Sequence, residues 1–342
     1  MNFPKGSVWQ TCRDHALNSI VDNSSFTPHN PLTLSSWRQR GSFSVVAATA
    51  KSFTLECATA DIGSAIVGDT EHLLNHIAEH RALIHDSIKT DRWNSPAWLL
   101  VTIYYWGLFA ALAWTRLLGK GVVYLDQTAV RDLRTLARNA MQSPHSGTFQ
   151  LKMGKDLSAT NREVVLDKMG SSHFHACTWS QVIRDAQWRF DHYATEETNK
   201  LEFSLFKCLA FSDRAGKDSW PSELRNRINY RPGFAYTQVN KKPALDLIQF
   251  IRKTPFHSME AVADIYELEL RRIAATSSID NSPSNYSRIM FLKTIVLTSL
   301  VEELFSEVVE RRKLDARGSN KRHSFYKERG MWKVDNVWPI DH

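Results

Sequence analysis

Four polar residues close together, Arg225, Asn226, Asn229 and Tyr230, have the types and spacing best suited to chemistry on a phosphate ester. They fall in the run Ser222-Glu223-Leu224-Arg225-Asn226-Arg227-Ile228-Asn229-Tyr230-Arg231-Pro232-Gly233. If this run is helical up to the Pro-Gly stop, Arg225 lies one turn from Asn229 and Asn226 one turn from Tyr230, which sets four polar side chains on one wedge. A guanidinium grips a phosphate with two parallel hydrogen bonds, an amide orients a sugar hydroxyl, and a phenol donates to a leaving oxygen. The same residues have a purely structural use, because cations near a helix C-terminus favour the macrodipole and amides satisfy its last carbonyls. Arg227 and Arg231 beside the wedge, and Lys321 and Arg322 near the end of the chain, are candidate contacts for a nucleic-acid backbone.

A second constellation is His72, His76 and His80, spaced by four in one helical stretch, with Glu79 completing His76-Ile77-Ala78-Glu79-His80. The spacing fits two imidazoles on one zinc and is similar to the inverted zinc-protease motif. A zinc site needs a third ligand from a distant segment, and none is identified, while Asn75, Glu79 and Arg81 give the stretch a solvated polar face. His173-Phe174-His175-Ala176-Cys177 also offers ligand types, but the two imidazoles diverge on a helix and Trp179 and Val182 point to packing. The chain has no Walker-type, dinucleotide-binding or nucleophile-elbow pattern, so neither an organic cofactor nor a metal is expected.

The elements that must position these residues are mostly helical. Leu73, Leu74, Ile77, Ala78, Leu83 and Ile84 recur at helical spacing from Thr70 to about Lys89. Ser95-Pro96 is a cap and first-turn pair, and Gly119 and Gly121 supply a stop, so 96–118 is the clearest helix. Further helices are expected at Asp126–Met141, then at about 173–193, 197–212, 221–231, 243–253, 257–275 and 285–313. Ser42–Ala48 and Ser52–Cys57 read as a short strand pair, and Gly147–Met169 as a β-hairpin inserted in the helical framework. The domain reading is a mixed segment at 1–68, a helical domain at 69–313 with the insertion at about 147–169, and a basic tail at 314–342. From Arg311 to Lys333 that tail interleaves basic residues with Phe325, Tyr326 and Trp332, a composition suited to phosphate contact and base stacking; a solvated helix end with a loose tail is its plain alternative.

The chain has 342 residues, a formal net charge of +7 and four well-separated cysteines with no C-x-x-C pair. Its length allows a core without disulfide staples, free thiols fit a reducing compartment, and the charge permits a polyanionic partner. No secretory leader is legible near Met1–Asp14, so a cytoplasmic protein is expected. From Ser95 to Thr115 no residue is charged, a length that could cross a bilayer. Thr102, Tyr104, Tyr105 and Gly107 in its middle favour a buried core helix instead, with no membrane association.

Leu224-Arg225-Asn226-Arg227-Ile228 resembles the signature of the HEPN superfamily, in which an Arg near a helix end is followed by a polar residue and, five residues after the Arg, by a His. Tyr104-Tyr105-Trp106-Gly107-Leu108-Phe109-Ala110-Ala111, followed by Leu117-Leu118-Gly119, looks like the aromatic and Ala-rich first helix of such modules. The resemblance implies a HEPN-like helical bundle and metal-independent RNA cleavage by attack of the ribose 2′-hydroxyl, often in a site shared across a homodimer, in a prokaryotic toxin or antiviral defence setting. Carried over, Arg225 holds the scissile phosphate, Asn226 orients it, and Tyr230 stands where the family has His. A phenol titrates near about 10 and is a poor base at neutral pH. Either catalysis is lost, leaving a partner-binding scaffold, or another group supplies the base.

Overall fold

The computed structural model describes residues 7–20, 32–89, 96–137, 142–156, 158, 160–170, 173–194, 199–213, 216–230, 242–255, 258–274, 283–315 and 317–329. The chain opens with α1 (Val8–Ser19) and α2 (Leu34–Arg40), the latter held by a reciprocal cap between Thr33 and Ser36. The hairpin β1 (Phe43–Ala48) and β2 (Ser52–Ala58) leads into two long helices, α3 (Thr59–Lys89) and α4 (Pro96–Leu117), then β3 (Lys120–Leu125) and α5 (Gln127–Leu136). A second hairpin, β4 (Gly147–Asp156) and β5 (Asn161–Lys168), precedes seven helices: α6 (Phe174–Tyr193), α7 (Lys200–Ala210), α8 (Trp220–Tyr230), α9 (Lys242–Lys253), α10 (Met259–Ala274), α11 (Pro283–Arg311) and α12 (Arg317–Glu328). The molecule is therefore mainly helical with one small antiparallel sheet.

The sheet runs β1-β2-β5-β4-β3. The N-terminal strand pair and the inserted hairpin are parts of this single sheet, because β2 and β5 pair along their length with Phe53 opposite Leu166 and Leu55 opposite Val164. Alternate residues of β2 and β5 are buried, as a two-residue side-chain period requires when one face meets the helices. Gly119 turns the chain after α4, which then continues as the edge strand β3, with Gly121 inside it. Gly119 has φ +65, and a Cβ there would lie 2.2 Å from Ser19 Oγ, so the turn needs glycine twice over. α3 begins at Thr59, directly after β2, eleven residues ahead of the periodic stretch, and runs unbroken past residue 69.

α4 is the central helix, packed by α3, α6, α8 and α11. Tyr104, Trp106, Trp114 and Leu117 are buried, and large apolar side chains of this kind contribute roughly 2 kcal/mol each on burial. Trp106 Nε1 donates to Thr298 Oγ1 of α11 at 2.8 Å. Gly107 permits the close crossing, since a Cβ would stand 2.4 Å from Thr294 Oγ1 and 3.2 Å from the Trp179 ring. Ala97–Leu117 is long and apolar enough to cross a membrane, and 72% of its apolar window is buried inside the fold.

Two buried cations knit distant elements together. Arg189 of α6 has no exposed surface and donates to Asp185 Oδ2, Thr11 Oγ1 and His15 Nδ1, each at 2.8 Å. Lys293 of α11 is equally buried and donates to the carbonyls of Leu209 and Phe211 at 2.8 and 2.9 Å, closing the C-terminal end of α7. Burial lowers the Lys293 ammonium to about 7.

The segment after 314 includes α12, whose positive charges are largely committed. Arg322, 9% exposed, pairs with Glu71 and also donates to Asn75 Oδ1 at 3.1 Å, while Arg329 meets Asp86 at 2.8 Å. The Tyr326 hydroxyl donates to Glu302 and its ring stacks on Arg81. Trp332 lies outside the described residues.

Candidate functional site

α8 carries Leu224 and Ile228 into the core and turns Arg225, Asn226, Asn229 and Tyr230 outward. The Arg225 guanidinium is half-buried. Its Nη2 donates to the Tyr105 hydroxyl of α4 at 2.7 Å, its Nη1 donates to Asn226 Oδ1 at 2.9 Å, and its Nε has no partner. The rings of Tyr104, Tyr105 and Tyr230 surround it at 5.9, 5.5 and 5.7 Å. Aromatic faces favour a cation without neutralising it. Among the described residues no carboxylate pairs with Arg225, so its charge stays available to an anion. Asn226 and Tyr230 are exposed, the latter by 72%.

Tyr105 is the hub. On one side stands His175 of α6, its ring 6.0 Å from Tyr105 and 5.9 Å from Tyr104. His175 shares with Arg225, Asn226, Ser222 and Phe174 a cleft of about 460 Å³. Burial, and after it the charge of Arg225, lowers the His175 pKa, so the imidazole is neutral and basic at neutral pH. The sequence surroundings of His175 do not disclose its place beside Arg225. The approaching partners come from α4 and α8, some 50 to 70 positions away, and the neighbouring Trp179 and Val182 signal only the buried side of α6.

On the other side of Tyr105 lie His72, His76 and His80 of α3. His80 is 6.5 Å from the Tyr105 ring, and His76 stacks on Phe109 at 4.8 Å. The His80 Nδ1 meets the His76 carbonyl at 2.9 Å. A carbonyl only accepts, so Nδ1 carries the hydrogen and Nε2 is left as the basic nitrogen. Burial lowers the His80 pKa as well. His72 and His76 approach Nε2 to Nε2 at 3.2 Å. Among the described residues no group of three or more His, Cys, Asp or Glu could hold a metal ion. The histidine stretch and the arginine wedge, 145 residues apart from His80 to Arg225, therefore share one aromatic seam on α4.

The other basic candidates divide. Arg227 is committed to Glu223, which also meets Lys217 at 3.5 Å. Arg322, a candidate backbone contact, is sunk against Glu71, which compensates its charge. Lys321 is exposed on the outer side of α12. Arg231 and the Pro232-Gly233 stop lie outside the described residues, as does Ser95. No family model, no curated protein and no solved structure matches the chain.

Proposed function

We propose that the chain is a HEPN-like RNA-binding protein acting as a metal-independent endoribonuclease, cytoplasmic and self-associating, of the kind used in prokaryotic defence or toxin systems. The observation that carries the reading is the Arg225 guanidinium held outward by tyrosines and an amide instead of a carboxylate, with a neutral imidazole beside it. In this reading His175 removes the proton from a ribose 2′-hydroxyl, the oxygen attacks the adjacent phosphorus, and Arg225 offsets the charge that builds on the phosphoryl oxygens. Asn226 orients the phosphate. The bond from phosphorus to the 5′-oxygen breaks with Tyr230 donating to the leaving oxygen, and the products are a 2′,3′-cyclic phosphate and a 5′-hydroxyl.

Incubating the purified chain with single-stranded and structured RNA in EDTA tests this. Cyclic-phosphate ends that vanish in Arg225→Ala and fall in His175→Asn are the expected result. If no RNA is cut and none is bound in a salt-dependent way, the enzyme reading fails. A second reading, a non-catalytic partner-binding scaffold, is favoured by the exposure of Tyr230 together with Trp98 at 69% and Leu83 at 58%. An uncut RNA panel combined with dimerisation that is weakened by Trp98→Ser supports that scaffold.

A further inference from the structure

His72 and His76 lie one turn apart on an accessible face of α3. His72 is exposed and the His76 side chain is 35% exposed. Their Nε2 atoms stand 3.2 Å apart. With metal–nitrogen bonds of about 2.1 Å, two imidazoles on one ion have their nitrogens about 3.0 Å apart at a right angle and about 3.4 Å apart at the tetrahedral angle. The observed separation falls between these two values. The ring centres are 4.5 Å apart with their planes at 76°. That is too close for the nitrogens to face each other head on, the arrangement in which a hydrogen bond between them is strongest.

The surroundings of His76 decide which nitrogen it offers. Its Nδ1 meets Glu79 Oε2 at 3.2 Å. An ionised carboxylate only accepts, so Nδ1 carries the hydrogen and Nε2 presents its lone pair. A carboxylate behind an imidazole in this way orients the ring and strengthens its other nitrogen as a metal ligand. Stacking on Phe109 at 4.8 Å holds the ring plane. His72 has the freedom that a second ligand needs, because among the described residues its only hydrogen-bond partner is His76, and its hydrogen can sit on Nδ1. His80 stands apart from the pair: its Nδ1 is bonded to the His76 carbonyl and its ring lies edge-on to Phe109.

We propose that His72 and His76 chelate one divalent transition-metal ion of the Cu2+, Ni2+ and Zn2+ class through their Nε2 atoms, with Glu79 as the positioning carboxylate. Among the described residues no third side chain completes the set, so water fills the remaining positions and the ion is exchangeable. Copper binds more tightly than nickel or zinc, and magnesium, which takes oxygen ligands, does not compete. This site is independent of the RNA reading. It uses none of the residues assigned to cleavage, which proceeds in EDTA.

The test is isothermal titration and thermal unfolding of the full chain, stripped with EDTA and then freed of it, with NiCl2, CuCl2 and MgCl2. One-to-one saturable nickel binding, a Tm raised by nickel, displacement of nickel by copper, and no response to magnesium are expected. His72→Gln and His76→Gln are each expected to weaken nickel at least tenfold, with the metal-free Tm kept because both side chains are accessible. Glu79→Ala is expected to weaken it about tenfold, and His80→Gln to leave it unchanged. Three results overturn the proposal: no saturable nickel binding below millimolar concentration, binding undiminished in His72→Gln, or binding lost in His80→Gln.

Discussion

Arg225 and Arg322 are both arginines on the outer helices of one basic chain, yet their surroundings give them opposite work. Arg322 meets Glu71 in a nearly sealed site, with Asn75 and Ser319 accepting two further hydrogens. Arg225 meets hydroxyl, amide and aromatic rings. A buried cation opposite a carboxylate is electrically spent and holds helices together, whereas one held by neutral groups keeps its field for a ligand. The partner, not the residue type, decides which arginine can act.

The strongest way to break this contrast is Arg322→Ala. It leaves Glu71 buried and unpaired and is expected to cost about 3 kcal/mol in urea unfolding, with recovery of part of that loss in the Glu71→Leu/Arg322→Met double variant. A loss below about 0.5 kcal/mol dissolves the structural half of the comparison. Arg225→Ala is expected to do the reverse, reducing RNA cleavage about 100-fold while leaving the unfolding midpoint nearly unchanged. A variant that unfolds instead moves Arg225 to the structural class.

A sharper measurement is the pH profile of cleavage. Because the His175 pKa is lowered, the basic form is already present at neutral pH. The rate is therefore expected to rise with pH along a limb centred below 6.5 and to be flat above it. A limb centred at 8 or higher assigns the base elsewhere. Stability has its own histidine. His15 accepts from Arg189 through Nδ1 and burial lowers its pKa, so below about 6.5 the unfolded chain takes up more protons than the folded one. Stability from this contact is present above 6.5 and is lost as pH falls, and His15→Gln is expected to flatten that part of the unfolding curve. The smallest effect belongs to Lys321→Ala, which is expected to change stability by less than about 0.5 kcal/mol and to lower the salt slope of RNA binding by about one.

What was legible in the sequence was what local spacing encodes. Pro96 and Gly119 bracket α4, Asp126 caps α5 by accepting from the Ala129 N–H at 2.7 Å, and the alternation in 43–58 and 147–168 marks four of the five strands. β3 was hidden because Gly119 just before it and Gly121 within it read as a stop, and its pairing with β4 joins residues 120–125 to 147–152. α12 read as a basic tail because what holds it, Glu71, Asp86 and Glu302, lies in α3 and α11. α1 was obscured for a related reason: Arg13 bonds Glu307 of α11. At the candidate site the wedge of α8 could be read from a one-turn repeat, but the meeting of His80, Tyr105, His175 and Arg225 is a product of packing four helices and has no local signature.

Phe174, the first residue of α6, borders two spaces at once. It is a lining residue both of the pocket bounded by Leu34, Trp37, Leu133 and Leu166 and of the cleft that contains His175 and Arg225. A single substitution there therefore alters the walls of both.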